Sequence, residues 1–285
     1  MINLEKIRKE KPINELLKFS IINIDKPSGP TSFQVSHLVK NFLGLNKTSH
    51  FGTLDPMVSG VLPVALGRAC RLNDYFMHRD KEYVGIMRLH QLVSPEKLTE
   101  IVKLFLGKII QLPPVKSRVK RAPREREIKE FEILEIQGKD VLFKTRVQAG
   151  TYIRKLIHDL GEKIGGAHML ELRRIKAGIF TEENLVNLYD LEIAVNEYKN
   201  GDEEALRKLL VPAEVISQVL PVIKANPNSL RQLLTGKPLF VRDILNFNLS
   251  DIKDFFVLFN NNEFIGVYEK VSEGEIVARP IFVFN

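Results

Sequence analysis

Between His50 and Cys70 the chain reads HFGTLDPMVSGVLPVALGRAC, and Asp55 is the only carboxylate in it. A carboxylate in a loop can attack an electrophilic carbon, stabilise a developing positive charge or carry a proton. Asp before Pro is also a favoured N-cap and N1 pair at the start of a helix, and on spacing alone that reading is the commoner one. The neighbours pull the other way: His50, Gly52 and Thr53 precede Asp55, and Ser59-Gly60 follow it. Two glycines around one acid let the backbone lie close to a ligand.

Two further residues could do chemistry with it. Tyr83 stands near the head of an alternating run, Lys81 to Leu89, although a strand tyrosine is more often core than catalytic. Arg154 lies one position off the apolar stripe Ile153–Ile157–Leu160, which suits a solvent-facing helix residue and a cleft-lining one alike. Between Lys116 and Lys129 seven basic residues, among them Lys116, Arg118, Lys120, Arg121 and Arg124, stand against Glu125 and Glu127. Pro114 and Pro123 break up this region, which suits a loop touching phosphates better than a solvated face.

The composition bounds what these residues can serve. At 285 residues, 44% hydrophobic and 27% charged, the chain matches a soluble globular protein with a real core. A formal net charge of +7 favours a polyanionic partner. The single cysteine, Cys70, rules out an internal disulfide and any cysteine-based metal site, so no metal is expected. No apolar run approaches the roughly 20 residues that span a bilayer, so no membrane partner is expected. The charged start MINLEKIRKEKP has no apolar segment behind it, which reads as no secretory signal. A cytoplasmic location is expected, because the long Lys-rich tail of a nucleolar protein is not seen.

These residues need elements to position them. Residues Ile2 to Leu17, interrupted by Pro12, read as a short arm or broken helix. Phe19 to Ile24 is strand-like and ends in the turn Lys26-Pro27-Ser28-Gly29-Pro30. Thr31 or Ser32 then caps a helix with the stripe Phe33, Val35, Leu38, Val39 and Phe42. Val61 to Leu66 reads as a buried strand interrupted by Pro63, with a helix after Gly67. Pro95 to Phe105 is amphipathic. Phe131–Ile136 and Val141–Val147 form a hairpin, and a helix carrying Tyr152, Leu156 and Leu160 follows. From Val222 onward the pattern turns to short strands between Asn- and Gly-containing turns.

Five ordered segments between Ile21 and Phe180 resemble the TruB-type pseudouridine synthases. His50 to Pro56 with Gly60-Val61-Leu62-Pro63 resembles the catalytic signature, and Asn23 to Ser32 the family's first motif. Lys81-Glu82-Tyr83 resembles the strand with the active-site tyrosine, Ala149 to Arg154 the arginine motif, and Ala167 to Arg174 the late motif. Gln111-Leu112-Pro113-Pro114-Val115-Lys116-Ser117 and the basic run after it are similar to the dyskerin-type branch, which works in box H/ACA guide ribonucleoproteins. The chain departs from that branch at Gln148, where many relatives carry an acid.

The resemblance implies an α+β fold: a mixed, largely antiparallel central sheet flanked by helices, plus a small C-terminal β-rich, PUA-like domain. It implies three parts: an N-terminal arm over residues 1–19 packing on the C-terminal module, a catalytic domain over 20–215, and an RNA-binding domain over 216–285. It also implies isomerisation of uridine in RNA: the N1–C1′ bond breaks, the base turns over and rejoins through C5. No group is added, so no cofactor is expected. Asp55 takes the catalytic carboxylate position and Arg154 that of the cation keeping it ionised. Tyr83 would stack on the uracil with its hydroxyl near the sugar. Lys26 and Pro27 would brace the catalytic loop, with Gly52 and Thr53 supporting the site. His50 would fill space left by the extruded nucleotide, and Leu172 would pack on the flipped base or on Tyr83. The implied partners are a guide RNA, a substrate RNA and small accessory proteins. A stand-alone tRNA enzyme and a non-catalytic RNA scaffold are the alternatives.

Overall fold

The structure is a computed structural model and describes residues 2–114, 120–245 and 252–285. Pro12 divides the N-terminal segment into two short helices, α1 (Leu4–Glu10) and α2 (Ile13–Lys18). Strand β1 (Ser20–Lys26) leads through the Pro27–Pro30 turn into α3 (Ser32–Phe42). After β2 (Thr48–His50) comes the Asp55 loop and then β3 (Ser59–Leu66). A tight 3-10 turn from Gly67 runs into α4 (Asn73–Met77), then β4 (Lys81–Leu89) and α5 (Pro95–Lys103). Strands β5 (Gly107–Gln111), β6 (Arg124–Gln137) and β7 (Asp140–Val147) precede α6 (Ile153–Glu162). Strands β8 (Ala167–Ala177) and β9 (Phe180–Thr181), helices α7 (Leu188–Lys199) and α8 (Glu204–Leu209), and β10 (Val211–Pro212) complete this part.

One sheet runs β10-β1-β3-β8-β4-β7-β6-β5, with β2 on β3 and β9 on β8. Every pairing in it is antiparallel except β3 with β8. That parallel pair puts the residues after Asp55 beside the late motif, since Ser59 and Gly60 register with Arg173 and Arg174. Gly60 is what the contact demands. Its φ is +98°, and an added Cβ would stand 2.2 Å from the Arg174 carbonyl oxygen. The backbone does approach closely there, but toward β8.

Pro63 does not interrupt β3. It pairs with Asn23 of β1, and its carbonyl turns away from β1 to accept the Phe51 amide at 2.9 Å. Its missing N–H therefore falls where β2 has already ended and no ladder donor is required. The α3 stripe also differs from the sequence pattern. The buried face is Ser32, Val35, Ser36 and Val39, while Phe33 is 70% exposed. Thr31 is the N-cap, in a capping box with Gln34, which frees Ser32 for another partner.

A second sheet, order β12-β16-β15-β14-β11-β13, is built from β11 (Val222–Ala225), β12 (Leu239–Phe240), β13 (Ile244–Leu245), β14 (Phe255–Asn260), β15 (Glu263–Glu273) and β16 (Ile276–Val283). One hydrophobic cluster joins the two sheets: Phe19, Ile21, Phe51 and Val61 pack with Val257, Phe259, Phe264 and Phe282. Phe19 anchors it, with ring centroids 4.4 Å from Phe284 and 5.1 Å from Phe264. Lys11 of the arm pairs with the buried Glu214 and lies over the Phe284 ring. Among the described residues no helix is long and apolar enough to cross a membrane.

Candidate active site

The Asp55 loop is held by the first motif through main-chain atoms on both sides of the carboxylate. Ahead of it, the Ser32 hydroxyl donates to the Leu54 carbonyl at 3.0 Å and accepts the Leu54 amide at 2.8 Å. Behind it, the fully buried Lys26 ammonium donates to the carbonyls of Pro56 at 3.0 Å, Val58 at 2.8 Å and Pro27 at 2.8 Å. The Gly29 amide adds a second bond to Pro56 at 2.9 Å. No helix starts at Asp55. Its carbonyl accepts the Val58 amide in a tight turn that feeds β3, so the capping role is not used. Burial lowers the Lys26 pKa, the Asp55 charge acts against this, and Arg174 adds to the lowering. Lys26 thus feels Asp55 electrostatically while its own hydrogen bonds are spent on the loop.

Arg154 faces Asp55, Nη1 to Oδ2, at 3.7 Å, with side chains 61% and 57% exposed. It lies in the first turn of α6, where the helix dipole disfavours a cation. Its place is set from outside the helix. The buried Gln111 side chain accepts the Tyr152 amide at 3.0 Å and donates to the Tyr152 carbonyl at 3.2 Å, fixing the entry to α6. The carboxylate and its cation are therefore brought together on an open face, not in a closed pocket.

Tyr83 is 8% exposed and lies in the same apolar cluster as Leu54, Val58 and Leu172. Leu172 is buried opposite Gly85, two residues along β4 from Tyr83, where an added Cβ would stand 2.9 Å from the Leu172 Cδ1. Gly85 makes the space that lets Leu172 lie beside the tyrosine. His50 and Thr53, ahead of Asp55 in the chain, meet each other, His50 Nε2 lying 3.3 Å from Thr53 Oγ1. Burial, then the Arg174 charge, lowers the His50 pKa and so disfavours a charged ring there. Gly52 has φ +94°, which glycine adopts without strain.

Of the basic run, Lys120 and Arg121 are exposed and Arg124 opens β6, its Nη2 reaching the Lys120 carbonyl at 3.4 Å. Lys116 and Arg118 lie outside the described residues.

Ser32, Gln111 and Arg174 hold the Asp55 loop and its surroundings; the sequence offered Ser32 only as a helix cap and the other two no role. A signal existed for two of them. Ser32 sits at helical spacing from Val35, Ser36 and Val39, and Arg174 shares a strand face with Leu172, two residues away. Gln111 carried no such pattern.

Comparison with known proteins fits this geometry. Residues 40–153 match the model described as TruB family pseudouridylate synthase (N terminal domain). Residues 154–217 match the tRNA pseudouridylate synthase B C-terminal domain, and 9–36 the DKCLD (NUC011) domain. The chain is 46% identical over 277 residues to "Probable tRNA pseudouridine synthase B" of Nanoarchaeum equitans, covering 96% of this chain and 76% of that protein. It is 48% identical over 229 residues to the protein of the same name from Methanopyrus kandleri, covering 80% and 68%. A chain solved in a Cbf5-Nop10-Gar1 complex superposes with TM-score 0.87 at 38% identity, over 98% of this chain and 88% of that one. Another, from an H/ACA RNP bound to a substrate RNA containing 2′-deoxyuridine, gives 0.87 at 37%, over 98% and 89%. With its motif order, its clamped Asp55 loop and relatives of this coverage, the chain belongs to the TruB family of pseudouridylate synthases.

Proposed function

We propose that this pseudouridine synthase is the catalytic subunit of a box H/ACA guide ribonucleoprotein and isomerises uridines in rRNA. The observation that carries the reading is likeness along 98% of the chain, C-terminal sheet included, to proteins solved in such assemblies. In this reading residues 1–19 form an arm on the C-terminal module, 20–215 the catalytic domain and 216–285 a PUA-like domain that reads the guide's ACA end. Base pairing with the guide selects the uridine, and small accessory proteins complete the particle.

In the chemistry we propose, the target uridine leaves its stack, as a reaction on a base requires. Asp55 acts on C1′, by attack or by stabilising charge there, while the N1–C1′ bond breaks. The base turns over, C5 bonds to C1′ and displaces the Asp55 carboxylate where it has attacked, the C5 proton departs and N1 is reprotonated. Arg154 neutralises the carboxylate, and Tyr83 and Leu172 supply the surface under the base. His50, Gly52 and Thr53 line the entry, and Lys26 and Pro27 hold the loop. Lys116, Arg118, Lys120, Arg121 and Arg124 contact the RNA backbone.

Asp55→Asn is expected to keep RNA binding and to abolish tritium release from C5-labelled uridine; turnover at the wild-type rate would overturn the reading. The name shared by the archaeal relatives favours a second reading, a stand-alone enzyme on tRNA. Incubation with unmodified tRNA and no guide separates the two. Co-purification with short hairpin RNAs ending in ACA supports the first.

A further inference from the structure

The geometry points to Arg174 as the positioning residue that fixes the Tyr83 hydroxyl and ties it to the Asp55 loop. Arg174 is 1% exposed, the bulkiest fully buried side chain described. Its Nε donates to the Val61 carbonyl at 2.8 Å and its Nη2 to the Gly52 carbonyl at 3.1 Å. Tyr83 stands directly opposite it on β4 and favours its charged form. Among the described residues no acidic group contributes to its electrostatics, and burial disfavours its charge. A buried cation without a carboxylate is costly to fold, so its presence calls for a reason other than stability.

That reason lies in what the guanidinium joins. Tyr83 and Arg174 are direct cross-strand partners on β4 and β8, and the register shifts between Glu82 and Tyr83, which re-aims the tyrosine. A guanidinium only donates hydrogen bonds, so where it engages the Tyr83 hydroxyl the phenolic oxygen is the acceptor. The phenolic proton is then left to point away from Arg174 and serve a different acceptor. The same side chain holds Gly52, three residues before Asp55, so one group sets the spacing between the tyrosine and the catalytic loop. A lysine offers a point charge and cannot reproduce this fork to the Val61 and Gly52 carbonyls while facing Tyr83.

The inference rests on the reading of Tyr83 as the active-site tyrosine. It is tested by single-turnover tritium release from C5-labelled uridine in the assembled RNA–protein complex. Arg174→Met, Arg174→Lys, Tyr83→Phe and the double variant Tyr83→Phe/Arg174→Met are compared, with RNA affinity and thermal unfolding followed alongside. Both Arg174 variants are expected to slow the step about 100-fold, with RNA affinity changed by less than about threefold. In the Tyr83→Phe background the cost of Arg174→Met is expected to shrink at least about tenfold. A wild-type rate for Arg174→Met, or a loss that simply multiplies that of Tyr83→Phe, overturns the inference. A fully active Tyr83→Phe overturns the tyrosine reading instead. Should Arg174→Met fail to fold, Arg174→Lys, which keeps the charge, supplies the same comparison.

Discussion

The Ser32 hydroxyl holds both polar groups of Leu54, accepting its amide at 2.8 Å and donating to its carbonyl at 3.0 Å. The anchor grips the main chain of Leu54 and leaves the Asp55 side chain to face outward, where it meets Arg154. The peptide next to the carboxylate is fixed by a side chain from the start of α3, over 20 residues earlier in the sequence. Ser32→Ala leaves a buried amide and a buried carbonyl without that partner. The expected loss is about 1–3 kcal/mol of stability, with single-turnover isomerisation slowed about tenfold or more and RNA affinity nearly unchanged. Urea unfolding and rate measurements on the same preparation check this. A variant as active as wild type would show that the loop needs no such anchor.

Arg154 is predicted to behave in the opposite way. Its pair with Asp55 spans 3.7 Å with both side chains more than half exposed, so Arg154→Ala is expected to change stability by less than about 1 kcal/mol. Activity is expected to fall about 100-fold or more, because the charge matters once RNA covers the site and excludes water. Thermal unfolding and single-turnover rates separate the two effects.

Lys81 gives a pH signature. Its buried ammonium donates to the carbonyls of Met77 and Arg79. Burial, with Arg174 adding and Asp80 opposing, lowers its pKa from 10.5 to about 8. Below about pH 8 the folded and unfolded chains are both protonated, and the full cost of the buried charge is present. Between about 8 and 10.5 the unfolded chain keeps a proton that the folded chain has lost, so stability rises with pH. Relative to Lys81→Met, the wild type is expected to gain up to about 3 kcal/mol across that window. Urea unfolding of both proteins at several pH values measures the difference, and a constant difference would contradict the assignment.

Much of this site was legible because its residues carry unusual types in a fixed order. Asp55 between two glycines, Tyr83 near the head of a strand and Arg154 ahead of a helix could each be singled out, and the family resemblance joined them. The α3 stripe was misread for a physical reason. Phe33 is apolar and exposed, whereas Ser32 and Ser36 are polar and buried because Leu54 and Thr48 satisfy their hydroxyls. A pattern of hydrophobicity cannot see a hydrogen-bond partner that is distant in sequence.

Residue type and local periodicity in the sequence marked Asp55, Tyr83 and Arg154 as candidates, most of the helices and strands, and the change to short strands after Val222. The motif resemblance supplied the chemistry and the fold class. Only the tertiary structure decided what positions the carboxylate. The parallel pairing of β3 with β8 lets Arg174 reach the Gly52 carbonyl, and the pairing of β1 with β3 sets Lys26 against the Pro56 and Val58 carbonyls. These are long-range contacts made by buried cations to main-chain carbonyls. Carbonyls are present at every residue, so no sequence pattern marks which ones a folded chain will use.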